Sequence, residues 1–229
     1  MSTNYIVRFS NLTISVEEKV IINNLHVDFT RNTCTVLTGP GGSGKTTLFG
    51  IIMKDDLESL NISGSVDVNA SKIRFMKQGN HFDSMDTPSE LFASHGLLYF
   101  EEISKCWAKT PHLIKELRKL AFTSFNNIDK KYHKLLHLTA VIANDDFDLL
   151  LLDEPEVYAD ENLTYLTDKI LELKQRKSIL VITHHVAFAE QIGDYFLLLI
   201  HGRPIEYCNK MSFFSSSIPE VQYLTKMGC

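Results

Sequence analysis

Residues 39–46 read Gly39-Pro40-Gly41-Gly42-Ser43-Gly44-Lys45-Thr46. They fit the pattern G-x-x-x-x-G-K-[ST] of a phosphate-binding loop (P-loop), which follows a strand and opens a helix. The preceding run, 34–38, is β-branched and apolar, as a buried strand would be, and 46–53 can continue as a helix. The order of strand, glycine-rich loop and helix favours a true phosphate-binding loop over the alternative, a glycine-rich turn that contains a lysine by chance.

The residue types of this loop suit a bound phosphate. Its glycines let the backbone curl so that several N–H groups point at one anion, and the helix N-terminus adds a positive dipole end. Lys45 can supply a full charge to the β- and γ-phosphates, and the Thr46 hydroxyl can hold Mg²⁺. The predicted nucleotide-binding residues are Gly39, Pro40, Gly41, Gly42, Ser43, Gly44, Lys45, Thr46 and Thr47.

The composition is that of a globular protein. The chain has 229 residues, 44% hydrophobic and 22% charged, with a net charge of −5 that gives no general attraction to nucleic acid or an anionic membrane. Its cysteines are scattered without a C-x-x-C pair, which favours a reducing compartment over a zinc site or a disulfide framework. Residues 5–9 read as a strand rather than a signal peptide, and the longest apolar runs fall far short of the roughly 18 residues of a membrane span.

The order of patterns predicts an α/β domain interrupted by helices. Strands are expected at 5–9, 20–29, 64–68 and 72–76, with turns at Asn23-Asn24 and Arg31-Asn32. From residue 83 to 144 apolar residues recur at helical spacing, and Thr87-Pro88-Ser89-Glu90 is a typical helix start.

Strand character returns in the second half of the chain. Strands at 147–152, 179–183, 195–200 and 205–207, a helix at 161–175 and a tail at 211–229 are expected. We therefore predict a single P-loop α/β domain with a mixed or parallel sheet. Its core would comprise 1–82 and 145–229, and 83–144 would be an inserted helical subdomain.

Two further motifs contain side chains that could bind Mg²⁺ or take part in hydrolysis beside the loop. The leucine run 149–152 leads into Asp153 and Glu154. At this position the Asp153 carboxylate can hold Mg²⁺ through water, and the Glu154 carboxylate can act as a general base on the attacking water. The alternative is that they only begin the turn at Pro155. His184 follows another strand and could reach phosphate and water, whereas His185 is expected to be a surface residue.

Together these motifs resemble the nucleotide-binding domain of ATP-binding-cassette (ABC) proteins over essentially the whole chain. The resemblance implies ATP and Mg²⁺ as ligands. It places Gln78 in the Q-loop, touching Mg²⁺ at the metal site of Thr46 and Asp153, and Asp160 in the D-loop at a dimer interface. Glu154 and His184 become the catalytic residues.

The sequence departs from the family at two positions. Val16 stands where the family has an aromatic residue that stacks on adenine. The family signature L-S-G-G-Q is replaced by Asp129-Lys130-Lys131-Tyr132-His133, which lacks the glycines that permit close approach to the partner's phosphate. Hydrolysis is therefore expected to be impaired unless a second ABC domain supplies an intact signature.

The resemblance implies the energising subunit of a membrane ABC transporter, an ATPase, docked peripherally on a separate transmembrane subunit. The partners expected are that subunit and a second ABC domain, in a homo- or heterodimer, without direct nucleic acid binding. The location expected is the inner face of a membrane, on the bacterial cytoplasmic or the mitochondrial matrix side.

In its compact length and in the valine at position 16, the chain resembles the ATP-binding subunits of the haem-exporter type, which are used in cytochrome c maturation. The alternatives are a nucleotide-binding but non-hydrolysing structural subunit, a soluble ABC ATPase acting on nucleic acid or ribosomes, and, least favoured, a P-loop kinase.

Overall fold

The strands lie in two sheets in this computed structural model, which describes residues 4–55, 57–76, 86–143, 145–159 and 163–227. The strands are β1 (Tyr5–Val16), β2 (Lys19–Thr30), β3 (Cys34–Thr38), β4 (Asn61–Val68), β5 (Ile73–Met76), β6 (Leu149–Asp153), β7 (Ser178–Ile182), β8 (Tyr195–Ile200) and β9 (Arg203–Asn209). The helices are α1 (Lys45–Met53), α2 (Pro88–Ser94), α3 (Tyr99–Cys106), α4 (Pro111–Leu120), α5 (Lys130–Ala143), α6 (Glu156–Ala159), α7 (Leu163–Leu173), α8 (Val186–Ile192), α9 (Lys210–Phe214) and α10 (Pro219–Met227), with a 3₁₀ turn at Phe125–Asn127.

The larger sheet is mixed. Among the described residues its order is β5-β6-β7-β3-β8-β9, and every neighbouring pair is parallel except β8 with β9. The smaller sheet, β2-β1-β4, is antiparallel. This arrangement confirms the predicted α/β class with a mixed or parallel sheet.

The unalternating leucine run explains why the larger sheet is covered on both faces. In β6, Leu150 and Leu152 enter a cluster that also contains residues of α5, α7, α8 and α10. Leu149 and Leu151 point to the opposite cluster, which includes α1 and the smaller sheet. All four leucines are fully buried, so an apolar residue is required at each successive position rather than at alternate ones.

Residues 88–143 form α2 to α5 around a cluster of their own, which includes the buried Trp107. The expected helix start at Thr87 is confirmed. The Thr87 side chain accepts a hydrogen bond from the Glu90 N–H, and the Glu90 carboxylate accepts from the Thr87 N–H at 2.9 Å. The division of the chain at 82/83 and 144/145 stays a prediction, since 77–85 and 144 lie outside the described residues.

Replacing Thr87 with alanine is expected to lower the free energy of unfolding by about 1 kcal/mol, because the N-terminus of α2 loses its capping oxygen. Urea denaturation measures the change. The matched variant Glu90→Gln keeps an acceptor oxygen at N3 and should be nearly neutral. Equal stability of Thr87→Ala and wild type would contradict the capping argument.

The turn predicted at Asn23-Asn24 is wrong. Both residues lie inside β2, where Asn24 has a φ of 51° and donates its N–H to Thr13 Oγ1 at 3.0 Å. Asparagine tolerates this left-handed conformation, so it marks an irregularity in the ladder as readily as a turn. The chain reverses instead at Glu17-Glu18. The turn at Arg31-Asn32 is confirmed.

The segment expected to be a tail is structured up to residue 227. It contains α9 and α10, and Phe213, Val221 and Leu224 from this segment are buried against the larger sheet. None of the helices that the structure describes combines the length and apolarity needed to cross a bilayer.

Candidate active site at the carboxyl edge of the larger sheet

Three neighbouring parallel strands end beside one another at the candidate site. The P-loop follows β3, Asp153 ends β6, and His184 follows β7 by two residues. Because β6, β7 and β3 are adjacent and parallel, their carboxyl ends meet at one edge of the sheet. The three sequence motifs are therefore brought together by topology alone.

Three glycines of the P-loop, Gly39, Gly42 and Gly44, have positive φ values that other residues rarely adopt. Gly39 has a φ of 133°, and a Cβ there would lie 1.9 Å from the Leu199 carbonyl oxygen. Gly44, with a φ of 97°, is the N-cap of α1 and provides no side-chain cap. The first N–H groups of α1 therefore lack a capping side chain at the place where an anion is expected.

Lys45 is only 6% exposed and lies against the loop. Its Nζ donates to the carbonyl oxygens of Gly39 at 2.7 Å and Pro40 at 2.9 Å, and to Ser43 Oγ at 3.3 Å. These contacts hold an ammonium group at the mouth of the curled backbone, where it can meet a phosphate.

Thr46 and Asp153 are in direct contact. The Thr46 hydroxyl donates to Asp153 Oδ2 at 3.1 Å, and Asp153 is 1% exposed. The pKa of Asp153 is raised to about 6, mainly by burial and also by the neighbouring Glu154 carboxylate, against the lowering effects of the Thr46 hydrogen bond and of Lys45. A hydroxyl and a carboxylate oxygen side by side are ligands that Mg²⁺ prefers.

Glu154 and His184 form the second pair. His184 Nε2 lies 3.4 Å from Glu154 Oε1, and both side chains are partly exposed, at 32% and 23%. Glu154 has a φ of 50°, rare for this residue, and its N–H donates to the Ile182 carbonyl at 2.9 Å. This backbone turns the Glu154 carboxylate away from the strand and towards the imidazole.

Glu156, which the sequence did not single out, also belongs to this site. Its Oε1 accepts hydrogen bonds from the Thr183 hydroxyl and, at 3.3 Å, from the His184 N–H. Burial raises its pKa. The available signal was a third carboxylate within four residues, Asp153 to Glu156, next to a predicted catalytic pair.

The remaining predicted residues fall into two groups. Gln78 and Asp160 lie outside the described residues. Thr47 is in the first turn of α1, and Ser43 is buried in the loop. His185 is exposed, as expected, and caps α8 by accepting the Phe188 N–H at Nδ1, 3.1 Å away.

The two departures from the ABC pattern also have places in the structure. Val16 is the last residue of β1. The segment Asp129-Lys130-Lys131-Tyr132-His133 crosses the start of α5, with Lys131 exposed and the Tyr132 hydroxyl donating to the Glu116 carboxylate. A helix N-terminus thus lies at this segment, and large side chains surround it.

Comparison with known proteins gives relatives of low identity over nearly the full length. The phosphate import ATP-binding protein PstB 1 of Lactococcus lactis is 23% identical over 97% of this chain and 96% of that protein. The phosphate import ATP-binding protein PstB of Thermotoga maritima is 24% identical over 88% and 89% of the two chains. The Nod factor export ATP-binding protein I of Burkholderia lata is 27% identical over 86% of this chain and 68% of its own.

No protein-family model matches the chain. A solved structure described as the ATP binding subunit of an ABC transporter superposes with a TM-score of 0.76, at 18% identity, over 96% of this chain and all of that one. The chain therefore has the fold of the ATP-binding subunit of an ABC transporter, and it is similar over most of its length to ATP-binding proteins named for import and export.

Proposed function

We propose that this chain is the ATP-binding, ATP-hydrolysing subunit of a membrane ABC transporter, with ATP as substrate and Mg²⁺ as cofactor. The observation that carries the proposal is the meeting of three motifs at one sheet edge. Buried Lys45 lies in the loop, Thr46 contacts Asp153 at 3.1 Å, and Glu154 lies 3.4 Å from His184. The similarity to ATP-binding proteins of import and export supports it.

The residues present fit MgATP. The α1 N-terminus without a capping side chain and the buried ammonium of Lys45 suit the phosphates, and Thr46 with Asp153 suits the cation. When bound there, Mg²⁺ would neutralise charge on the phosphate oxygens. Gln78 is proposed as a further ligand and Asp160 as a dimer contact, by resemblance.

Glu154 and His184 carry the chemistry in this proposal. The Glu154 carboxylate accepts a proton from the water that attacks the γ-phosphorus, while the bond from that phosphorus to the bridging oxygen breaks and ADP leaves. His184 contacts Glu154 through Nε2 and holds that carboxylate and the water in line. Partial exposure of both side chains leaves them accessible to a bound nucleotide.

The proposed assembly is peripheral, on the inner face of a membrane. A separate transmembrane subunit would form the pathway, and a second ABC domain would complete the site, because in the ABC proteins that this chain resembles the signature of one protomer meets the γ-phosphate bound by the other. The narrower hypothesis of a haem-exporter role in cytochrome c maturation rests on resemblance, with Val16 as the one residue that favours it. The relatives named above are phosphate import and Nod factor export proteins instead.

A second candidate function is a nucleotide-binding subunit that does not hydrolyse ATP. The observation that favours it is the segment 129–133 at the start of α5, where Lys131 and Tyr132 take the place of small residues. Binding of MgATP without turnover, in the presence of the native partners, would select this candidate over the first.

Replacing Lys45 with methionine is expected to weaken MgATP binding by about thirtyfold, equivalent to roughly 2 kcal/mol for a hydrogen bond to a charged group. Isothermal titration calorimetry of wild type and variant with MgATP measures it, and steady-state hydrolysis by the assembled complex tests turnover. Lys119→Met, on the exposed face of α4, is the control and should bind as wild type does. Equal affinity of Lys45→Met and wild type, or no MgATP binding by wild type, would overturn the proposed function.

A further inference from the structure

Glu156 joins the ends of β6 and β7 through one carboxylate oxygen. It is the first residue of α6, three residues after Asp153. Its Oε1 accepts from the Thr183 hydroxyl and from the His184 N–H. A hydrogen bond to a carboxylate is stronger than one to a neutral acceptor, which favours the contact with the Thr183 hydroxyl; the contact with the His184 N–H, at 3.3 Å, is longer.

The second oxygen of the same carboxylate is in an unusual position. Among the described residues, Glu156 Oε2 is buried and has no hydrogen-bond partner. Burying a charged oxygen in this way costs free energy, and a neutral or smaller residue would avoid that cost. The contacts of Oε1 are thus the physical role of Glu156 that the structure displays.

These contacts fix the turn that carries His184. The Thr183 hydroxyl donates to Glu156 and accepts the His185 N–H at 3.0 Å, so the backbone on both sides of His184 is tied down. The imidazole that leaves this backbone reaches Glu154 at 3.4 Å. A series of contacts therefore leads from Glu156, through the end of β7, to the proposed general base.

We propose that Glu156 is a positioning residue of this site: it holds the Thr183-His184 turn so that the imidazole meets Glu154. The proposal rests on the proposed function for its effect on turnover. Its geometric content, the placement of the His184 ring, is independent of hydrolysis. Glu156 itself touches neither ligand nor reacting atom in this role.

Turnover is tested with Glu156→Ala and Glu156→Gln in the complex with its native partners. Alanine removes both acceptor contacts and should lower kcat by about tenfold, while the KM for MgATP changes by less than about twofold, because ground-state binding is untouched. Glutamine keeps an oxygen that accepts both bonds and should retain kcat within about twofold of wild type. Glu190→Ala, an exposed carboxylate on α8, is the matched control and should behave as wild type.

A double-mutant cycle shows whether Glu156 acts through Thr183. Thr183→Val removes the hydroxyl with little change of shape, and it should lower kcat in the same direction as Glu156→Ala. Since the two residues share one contact, the double variant should be clearly less impaired than the product of the single effects. Multiplicative effects of the two variants would overturn the role of this contact.

The ring of His184 is read directly by NMR in the nucleotide-free chain. The imidazole nitrogen and proton signals, assigned with a His184→Gln variant, should shift in Glu156→Ala and Thr183→Val but not in Glu156→Gln or Glu190→Ala. An unchanged His184 signal in Glu156→Ala, or a Glu156→Gln enzyme as slow as Glu156→Ala, would overturn the proposal. Absence of hydrolysis in wild type would refute the proposed function, and the NMR signals would still decide the positioning role.

Discussion

Replacing Glu154 with glutamine is expected to lower the turnover of ATP by about a thousandfold while MgATP binding stays within a few-fold of wild type. A glutamine has the same shape and can still accept a hydrogen bond from His184 Nε2, so the 3.4 Å contact can survive. It cannot take up the proton of the attacking water. The loss should therefore fall on kcat, where a general base acts, and spare the contacts of the phosphates with the P-loop.

The measurement is steady-state and single-turnover ATP hydrolysis by the assembled complex, beside calorimetric binding of MgATP. Glu190→Gln makes the same chemical change on the exposed face of α8 and should hydrolyse ATP at the wild-type rate. Turnover that survives in Glu154→Gln would remove Glu154 from the catalytic role. Turnover absent from wild type and variant alike, with MgATP bound by both, would favour the non-hydrolysing subunit.

Much of this site could be predicted because its residues follow strands that are buried on both faces, and such strands have a recognisable sequence pattern. The run from Leu149 to Leu152 is apolar at every position, which only a strand buried on both faces requires. A strand of that kind in a parallel sheet must end at the edge where the P-loop begins. The meeting of Asp153 with Thr46 thus follows from the order of strands, before any side chain is placed.

The features that the sequence did not reveal depend on contacts between distant segments. Glu156 has no periodicity to mark it, and its role becomes visible only when β7 places Thr183 within reach. Asn24 has the residue type of a turn, yet the ladder of β1 and β2 continues past it. The left-handed backbone of Glu154 is equally invisible in sequence, because local preference disfavours it and the hydrogen bond to Ile182 holds it.

The proposed role of Asp153 as a Mg²⁺ site opposes its contribution to the stability of the metal-free chain. Its carboxylate is 1% exposed, and its pKa in the folded chain is raised from 3.8 to about 6, mainly by burial. The folded protein then binds this proton more tightly than the unfolded chain does. The contribution of Asp153 to stability is accordingly highest below the unfolded pKa of 3.8 and decreases as the pH rises from there through about 6, where the buried group ionises.

Replacing Asp153 with asparagine is therefore expected to stabilise the metal-free chain at pH 7.5 by roughly 2 to 3 kcal/mol, from a difference of about two pKa units. The amide oxygen can still accept from the Thr46 hydroxyl, so the packing is kept. The same change removes a negative ligand and should weaken the Mg²⁺-dependent part of nucleotide binding by about a hundredfold, the upper range for groups that merely support a ligand. Stability would rise as binding is lost.

Urea denaturation of wild type and Asp153→Asn at pH 4 and pH 7.5, with EDTA present, measures the effect of Asp153 ionisation on the free energy of unfolding. All other titratable groups are common to the two proteins, so their effects cancel in the difference. The stability difference should be largest at pH 7.5 and much smaller at pH 4, where the Asp153 carboxyl is protonated in the folded chain and only partly ionised in the unfolded chain. Asp168→Asn makes the same chemical change at an exposed carboxylate of α7 and serves as the control. A variant less stable than wild type at pH 7.5, or a difference constant with pH, would mean that burial of Asp153 is already compensated without a metal ion. The Thr46 and Asp153 pair would then lack the unmet charge that makes it a candidate Mg²⁺ site.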